Sequence, residues 1–346
     1  MTISSPTGTV PAWVVAVLRP FLESHLGAGW LGALREWRFA SRYFSSVIIF
    51  RVEGPSSLSG RFVAKFPKVA RGRGFSHVPE RLDGDLELAA QEYTALEALA
   101  ERWPQGETAY VRPRFYHPPS GMLVFDYLEG RDLYRRSLPF RLATRSVPSH
   151  FMASLRTLGH ALAVYHTRTA APGQFDFARL IAKIDARAKV LRLTLPRWLS
   201  ADAHRQAGSL VPAIKGFELR NTRIAQDRIW LFDPGRLRPE PPESDLARFL
   251  LSLWICGWGT PFFPFALDAR PLVHAFTEGY IEQHIVDERA LRVFLLREIL
   301  WNWREGREAL ADKGLLRPVS ALLTQFYVEF PFRRLWRSTT LAPRVT

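Results

Sequence analysis

The chain has 346 residues, 47% of them hydrophobic and 23% charged, with a single cysteine, Cys256. That balance is ordinary for a globular protein, and one cysteine excludes an internal disulfide framework and fits a reducing compartment. The net charge of +14 is uneven. Residues 1–128 hold 14 basic against 12 acidic side chains, and the remainder 33 against 21, so the second part carries nearly all of a field that draws anions and repels polycations.

The start, Met1-Thr-Ile-Ser-Ser-Pro6, has no basic n-region, and a cytoplasmic location is the expectation. Pro11 to Leu26 reads as a short amphipathic helix, with Pro11 in its first turn and Gly27 at its C-cap. Strand-like runs at Tyr43 to Val52 and Arg61 to Phe66 flank a turn-rich stretch at 54–60, a hairpin signal. Asp83 or Asp85 is placed to cap a helix whose apolar positions, Leu86, Ala89, Tyr93, Leu96 and Ala100, follow a 3.6 period. Two further strands, Tyr110 to Tyr116 and Met122 to Tyr127, surround the turn at 117–121. Residues 1–128 thus read as a small α+β unit, an N-terminal lobe.

Residues 129–346 read as mainly helical. Phe151, Leu155, Leu158, Leu162 and Tyr165 make one apolar stripe, with Ser149 as its cap. A short apolar stretch, Leu210 to Ile214, precedes a polar loop, and Arg228 to Phe232 reads as a strand ending at Asp233-Pro-Gly235. Ser244 is placed to cap a helix through Leu246, Phe249, Leu250 and Leu253. Phe249 to Leu267 has no charged residue and the length of a membrane span, but Gly257, Gly259, Pro261 and Pro264 interrupt it. A buried helix followed by an apolar loop is the expectation. His160 and His166, six apart on one helix, are read as structural.

Four elements fall in the order that phosphoryl transfer from ATP needs. Arg61-Phe-Val-Ala-Lys-Phe66 places Lys65 among apolar neighbours, where an ammonium is costly unless an anion meets it. Glu92, on the following helix, is placed to reach back to Lys65. Met122 to Gly130 runs an apolar strand into a polar linker, where backbone around Asp126 and Leu128 suits an adenine edge. Asn221 and Asp233 offer hard oxygen ligands for Mg²⁺. Each alone also fits a plainer role: Lys65 as a snorkelling residue, Glu92 as a solvated carboxylate, Asp233-Pro-Gly235 as a turn.

Several strings in this order resemble the aminoglycoside phosphotransferase and choline kinase-like family, within the protein-kinase-like fold. They are Phe62-Val-Ala-Lys65, Gln91-Glu-Tyr-Thr-Ala-Leu96, Leu123 to Leu133, Leu158 to His166, Gly216 to Asn221, Leu231-Phe-Asp-Pro-Gly235 and Pro241 to Ala247, spanning roughly residues 40 to 255. The resemblance implies a two-lobed α+β architecture: a small antiparallel sheet with one main helix, then a larger helical lobe, with ATP and Mg²⁺ between them. It implies Lys65 as the phosphate-binding lysine, Glu92 as its ion-pair partner, Asn221 and Asp233 as metal ligands, and Asp245 as a carboxylate bracing the catalytic loop.

The departures bear on mechanism. The family's loop reads His-Gly-Asp, then four residues, then Asn; here those three places hold Ile214, Lys215 and Gly216, so the proton-accepting aspartate is a glycine. Glu218 in the same loop is a substitute candidate for that role, and Lys215 a candidate phosphate contact. Where glycines are expected over the phosphates stands Ala40 to Ser46, in which Ser41, Arg42, Ser45 and Ser46 offer hydrogen-bond donors.

The +12 remainder argues against a polycationic aminoglycoside. The expected acceptor is a small hydroxylated molecule, neutral or anionic, such as a sugar, sugar phosphate or lipid-linked sugar. Phe330 to Arg337 mixes aromatics with arginines, which suits peripheral contact with an anionic membrane and equally a packed last helix with solvated arginines. Arg71-Gly-Arg-Gly74 and the net charge motivate nucleic-acid binding, but no recognised module accompanies them, and it is not expected. The alternative to an enzyme is a pseudokinase, which Gly216 favours and the retained Asn221 and Asp233 oppose.

Overall fold

The computed structural model describes residues 12–27, 34–41, 44–54, 59–69, 78, 81–130, 132–133, 147–205, 208–225, 228–257, 269–311 and 324–341. Pro11, Arg42, Tyr43, Arg71 to Gly74 and the stretch 258–267 lie outside them. The chain divides into two compact units. The first comprises Met1–Glu101, Tyr110–Gly130 and Phe232–Arg236; the second comprises Arg102–Ala109, Arg131–Leu231 and Leu237–Thr346.

The first unit contains α1 (Ala12–Leu26), β1 (Leu34–Ser41), β2 (Ser45–Val52), β3 (Gly60–Pro67), α2 (Asp83–Arg102), β5 (Phe115–His117) and β6 (Met122–Asp126); β4 (Thr108–Tyr110) straddles its boundary with the second. Its sheet runs β1-β2-β3-β6-β5, antiparallel throughout. Alternation along β3 decides what each face carries. Phe62, Ala64 and Phe66 enter the apolar core with Val14, Leu18, Phe21 and Leu22 of α1. Phe21 sits edge-on to Phe62 at 5.2 Å and to Phe50 at 5.8 Å. Lys65 therefore points from the opposite face, bracketed in register by Val47 and Leu123.

Helix α2 is tied to the end of β3 at its first turn. The buried Asp85 carboxylate accepts from Val69 N at 2.8 Å and from Leu82 N at 3.3 Å, while Arg81 donates to Pro67 O at 2.6 Å. Two helical turns on, along the stripe Asp85, Ala89, Glu92, Leu96 and Leu99, Glu92 is also buried.

The second unit contains α3 (Ser149–Thr169), α4 (Phe177–Val190), β7 (Val211–Ile214), β8 (Thr222–Ala225), β9 (Arg228–Leu231), β10 (Leu237–Glu240), α5 (Glu243–Gly257), α6 (Arg270–Ile281), α7 (Glu288–Ala311) and α8 (Phe330–Leu341). Strands β7 and β10 pair antiparallel, as do β8 and β9. Helices α3 and α6 pack backbone against backbone. A Cβ on Gly159 would run into Phe276 O, and one on Gly279 into Arg156 O. No described helix is long and apolar enough to cross a membrane.

Four expectations are corrected. Leu34–Ser41 is a strand that the sequence reading passed over, because charges at Arg35, Glu36 and Arg38 interrupt the buried Trp37 and Phe39. With β1 and β2 in place, Ala40, Ser41, Ser45 and Ser46 are strand residues rather than one loop. The single strand expected at Tyr110 to Tyr116 is two strands in different sheets, β4 and β5, split around Pro113, which has no N–H for a ladder. Ser149 and Ser244 do not cap their helices. Pro148 is the N-cap of α3, with no side-chain cap bond, and α5 begins at Glu243, where Ser244 Oγ bonds Glu240 instead.

The glycine contacts give a test. Gly159→Ala and Gly279→Ala are each expected to destabilise by about 1–3 kcal/mol in denaturant titrations. At an exposed helix site the same change would stabilise by about 1 kcal/mol.

Candidate active site

In the first unit Lys65 Nζ donates to Glu92 Oε1 at 2.6 Å and to Asp233 Oδ1 at 2.8 Å. The lysine side chain is 12% exposed and that of Asp233 45%. Burial opposes the Lys65 charge, but Asp233 and Glu92 outweigh it and hold its pKa above the ordinary lysine value. For Glu92 the balance is reversed. Burial is the largest influence and pushes its carboxyl up to about 7, against the pull of Lys65. Two carboxylates share one ammonium; burial and the Asp233 charge favour a proton on Glu92, and Asp233 is the more exposed of the two.

Asp233 follows β9 and has φ +58°, in the left-handed region. Asp tolerates that conformation better than most residues, and Gly235, at φ +67°, completes the turn. A non-glycine residue held there is the kind of local strain that collects at functional positions.

In the second unit one face of α5 holds the loop that follows β7. Asp245, Arg248 and Ser252 lie at i, i+3 and i+7. Asp245 Oδ1 accepts from Ile214 N at 2.7 Å, and Ser252 Oγ accepts from Leu219 N at 3.1 Å. Arg248 donates to Ile214 O at 3.1 Å and to Lys215 O. Phe217 and Leu219 are buried beneath the loop, and Asn221 Nδ2 closes it by donating to Gly216 O at 2.9 Å. Asp245 is fully buried, and burial raises its pKa against the pull of His166, Arg248 and the Ile214 amide. His166 meets Asp245 at 3.2 Å through one ring nitrogen and Tyr280 Oη at 2.8 Å through the other. One buried network thus joins α3, α5, α6 and β7. Behind Arg248 stands Glu298, shared with Arg297; burial would raise its pKa, but Arg248 and Arg297 outweigh burial and bring it down to about 2.

Within the first unit the structure brings Lys65, Glu92 and Asp233 together. Ser45 and Ser46 are buried in β2. Asp126 ends β6 in an exposed ion pair with Arg114 at 2.8 Å, and the Tyr127 amide donates to Arg61 O, so the backbone keeps its strand course toward Leu128. In the second unit Lys215 is exposed, and Glu218 lies against Arg220 at 2.7 Å. Asn221 commits its amide nitrogen to Gly216, which leaves Oδ1 as its ligand atom. Sequence reasoning missed Arg248 and Ser252. Their signal was helical spacing from Asp245, which only the loop's position makes meaningful.

The fold has solved counterparts. A choline/ethanolamine kinase family protein from Mesorhizobium loti aligns over 95% of both chains with a TM-score of 0.53 at 17% identity. A choline kinase from Cryptosporidium parvum Iowa II aligns over 94% of both, with a TM-score of 0.50 at 13% identity. The fold is protein-kinase-like. It is the fold that the sequence resemblance implied. No protein-family model and no curated protein matches the chain by sequence.

A pH test follows from Glu298. Its folded pKa lies below the ordinary 4.5, so the stability it confers is present above pH 4.5 and is lost as pH falls toward about 2. Glu298→Gln is expected to be less stable than wild type at neutral pH. The gap should close across that acid window in pH-dependent urea unfolding.

Proposed function

We propose that this protein is an ATP-dependent phosphotransferase that phosphorylates a hydroxyl of a small neutral or anionic molecule, with Mg²⁺ as its metal. The observation that carries the reading is the double ion pair of Lys65 with Glu92 and Asp233. Catalysis of phosphoryl transfer is mostly positioning and charge stabilisation. An ammonium fixed by two carboxylates is oriented, and it retains a third N–H for a phosphate oxygen.

Mg²⁺ is usually held by one or two carboxylates together with substrate phosphates, and when bound it neutralises their charge. A carboxylate whose side chain is 45% exposed, as at Asp233, fits such an ion. We assign Asp233 and Asn221 Oδ1 as its protein ligands, and the backbone around Asp126 and Leu128 as the adenine contact. Ser45 and Ser46, at the start of β2, are assigned as donors to the phosphates. For the acceptor's proton the chain offers Glu218, with Lys215 as a phosphate contact. The exposed Phe330, Arg334 and Arg337 of α8 support peripheral contact with an anionic membrane surface.

A pseudokinase is the second reading. It is favoured by Gly216 at the proton-acceptor position and by Glu218 being engaged with Arg220. Acceptor-dependent ADP formation separates the two. The phosphotransferase reading predicts ADP formation with a hydroxylated acceptor from a panel of sugars and sugar phosphates, falling by about 10²-fold or more in Asp233→Ala. Bound Mg·ATP without ADP formation on any acceptor would support the pseudokinase. On the phosphotransferase reading Gly216→Asp restores a general base and is expected to raise turnover by roughly 10²-fold or more.

A further inference from the structure

Behind the loop-holding Arg248, the second unit gathers three more arginines on α4 and α7. Arg297 shares Glu298 with Arg248 and also pairs with Glu240 at 2.7 Å. Arg304, exposed, pairs with Glu308 at 2.6 Å along its own helix. Arg187, near the end of α4, has no carboxylate partner among the described residues. Its guanidinium lies 4.5 Å over the ring of Trp301 of α7, which is 41% exposed and anchored by Nε1 to Glu305 at 2.7 Å.

This is a costly arrangement for a cation that has solvent available. Burial lowers the pKa of Arg187, and the charges of Arg304 and Arg297 lower it further, with only Glu298 opposing them. Glu298 is already committed to Arg248 and Arg297. A helix-terminal arginine serving only the helix dipole would fold back over its own last carbonyls; Arg187 lies instead on an aromatic ring of another helix. Stacking fixes the plane of a guanidinium and leaves its edge N–H groups directed outward, the geometry that grips an oxyanion with two parallel bonds. Arg304 lies three residues beyond Trp301, on the same face of α7. The cluster is linked to the loop at Gly216 by a relay within the same unit: Arg297, Glu298, Arg248, then the carbonyls of Ile214 and Lys215.

We propose that Arg187 and Arg304, with Trp301 as the platform, bind an oxyanion, phosphate or carboxylate, in the second unit. The site stands on its own geometry, independent of the phosphotransferase reading, and gives part of the +12 charge of residues 129–346 a specific use.

The test is calorimetric titration of the full chain with inorganic phosphate and, separately, acetate, in wild type, Arg187→Gln, Arg187→Lys, Arg304→Gln and Lys65→Ala. Arg187→Gln is expected to weaken binding of the preferred anion by roughly tenfold to a hundredfold. Arg187→Lys should retain part of it, and in Lys65→Ala, which removes any phosphate contact at the nucleotide site, the Arg187-dependent binding should persist; whichever anion binds more tightly identifies the group. The inference is overturned if neither anion binds wild type at millimolar concentration. It is equally overturned if Arg187→Gln binds as well as wild type, or if Lys65→Ala is the variant that loses binding. Should Arg187→Gln fail to fold, Arg304→Gln and Arg187→Lys decide on the same readout. Mg·ATP titrated into the same variants separates the two ideas. Loss of Mg·ATP binding in wild type with the Arg187 effect intact would remove the phosphotransferase reading and leave an anion site.

Discussion

An ammonium drawn into the covered face of a β-sheet must find carboxylates, because desolvating it alone costs more than a fold of marginal stability supplies. Much of the first unit is arranged to satisfy that demand at Lys65. The alternation of β3 sends Phe62, Ala64 and Phe66 into the core under α1, and so sends Lys65 the other way. Arg81 and Asp85 fix the start of α2 against the end of β3, which sets Glu92 two turns later within 2.6 Å of the ammonium. Asp233 reaches the same nitrogen from a turn that few residues adopt. Replacing such a buried pair by apolar side chains would often be neutral or stabilising, so stability alone does not account for its presence.

The second unit solves a different problem, the holding of an irregular loop without a regular ladder. Backbone groups in such a loop need partners, and α5 supplies them from one face: Asp245 for an amide, Arg248 for two carbonyls, Ser252 for a second amide. The two charged groups used for this are themselves largely buried; Asp245 meets His166, and Arg248 pairs with Glu298. This fully supported loop carries glycine at position 216, where the sequence resemblance would place a proton-accepting aspartate. That combination keeps turnover and binding without turnover as distinct outcomes of one geometry.

Much of this was legible in the sequence because it depends on local pattern. The strand-like run at 61–66 gave β3 with Lys65 on it, and the 3.6 period gave α2 with Glu92 on it, although the stripe was read through Tyr93 where the structure buries Glu92. The DPG turn was visible, although its left-handed aspartate was not. What escaped depends on tertiary context. β1 was hidden by its exposed charges, and the run at 110–116 looked continuous because a proline in an extended stretch does not reveal that the chain is leaving one sheet for another. The roles of Arg248 and Ser252 exist only once the loop lies across α5. Arg187 carried no signal at all, since an arginine in a helix's last turn is ordinary until Trp301 is found beneath it.

The central claim is that Lys65, Glu92 and Asp233 form a nucleotide and metal site and not merely a buried ion pair. Calorimetric titration of Mg·ATP into wild type and Lys65→Ala, with folding of the variant confirmed by circular dichroism, tests it most directly. The account predicts binding to wild type that weakens by roughly tenfold or more in the variant, through loss of a charge-assisted contact to phosphate. Equal Mg·ATP affinity in a folded Lys65→Ala protein would contradict it and reduce the cluster to a structural ion pair.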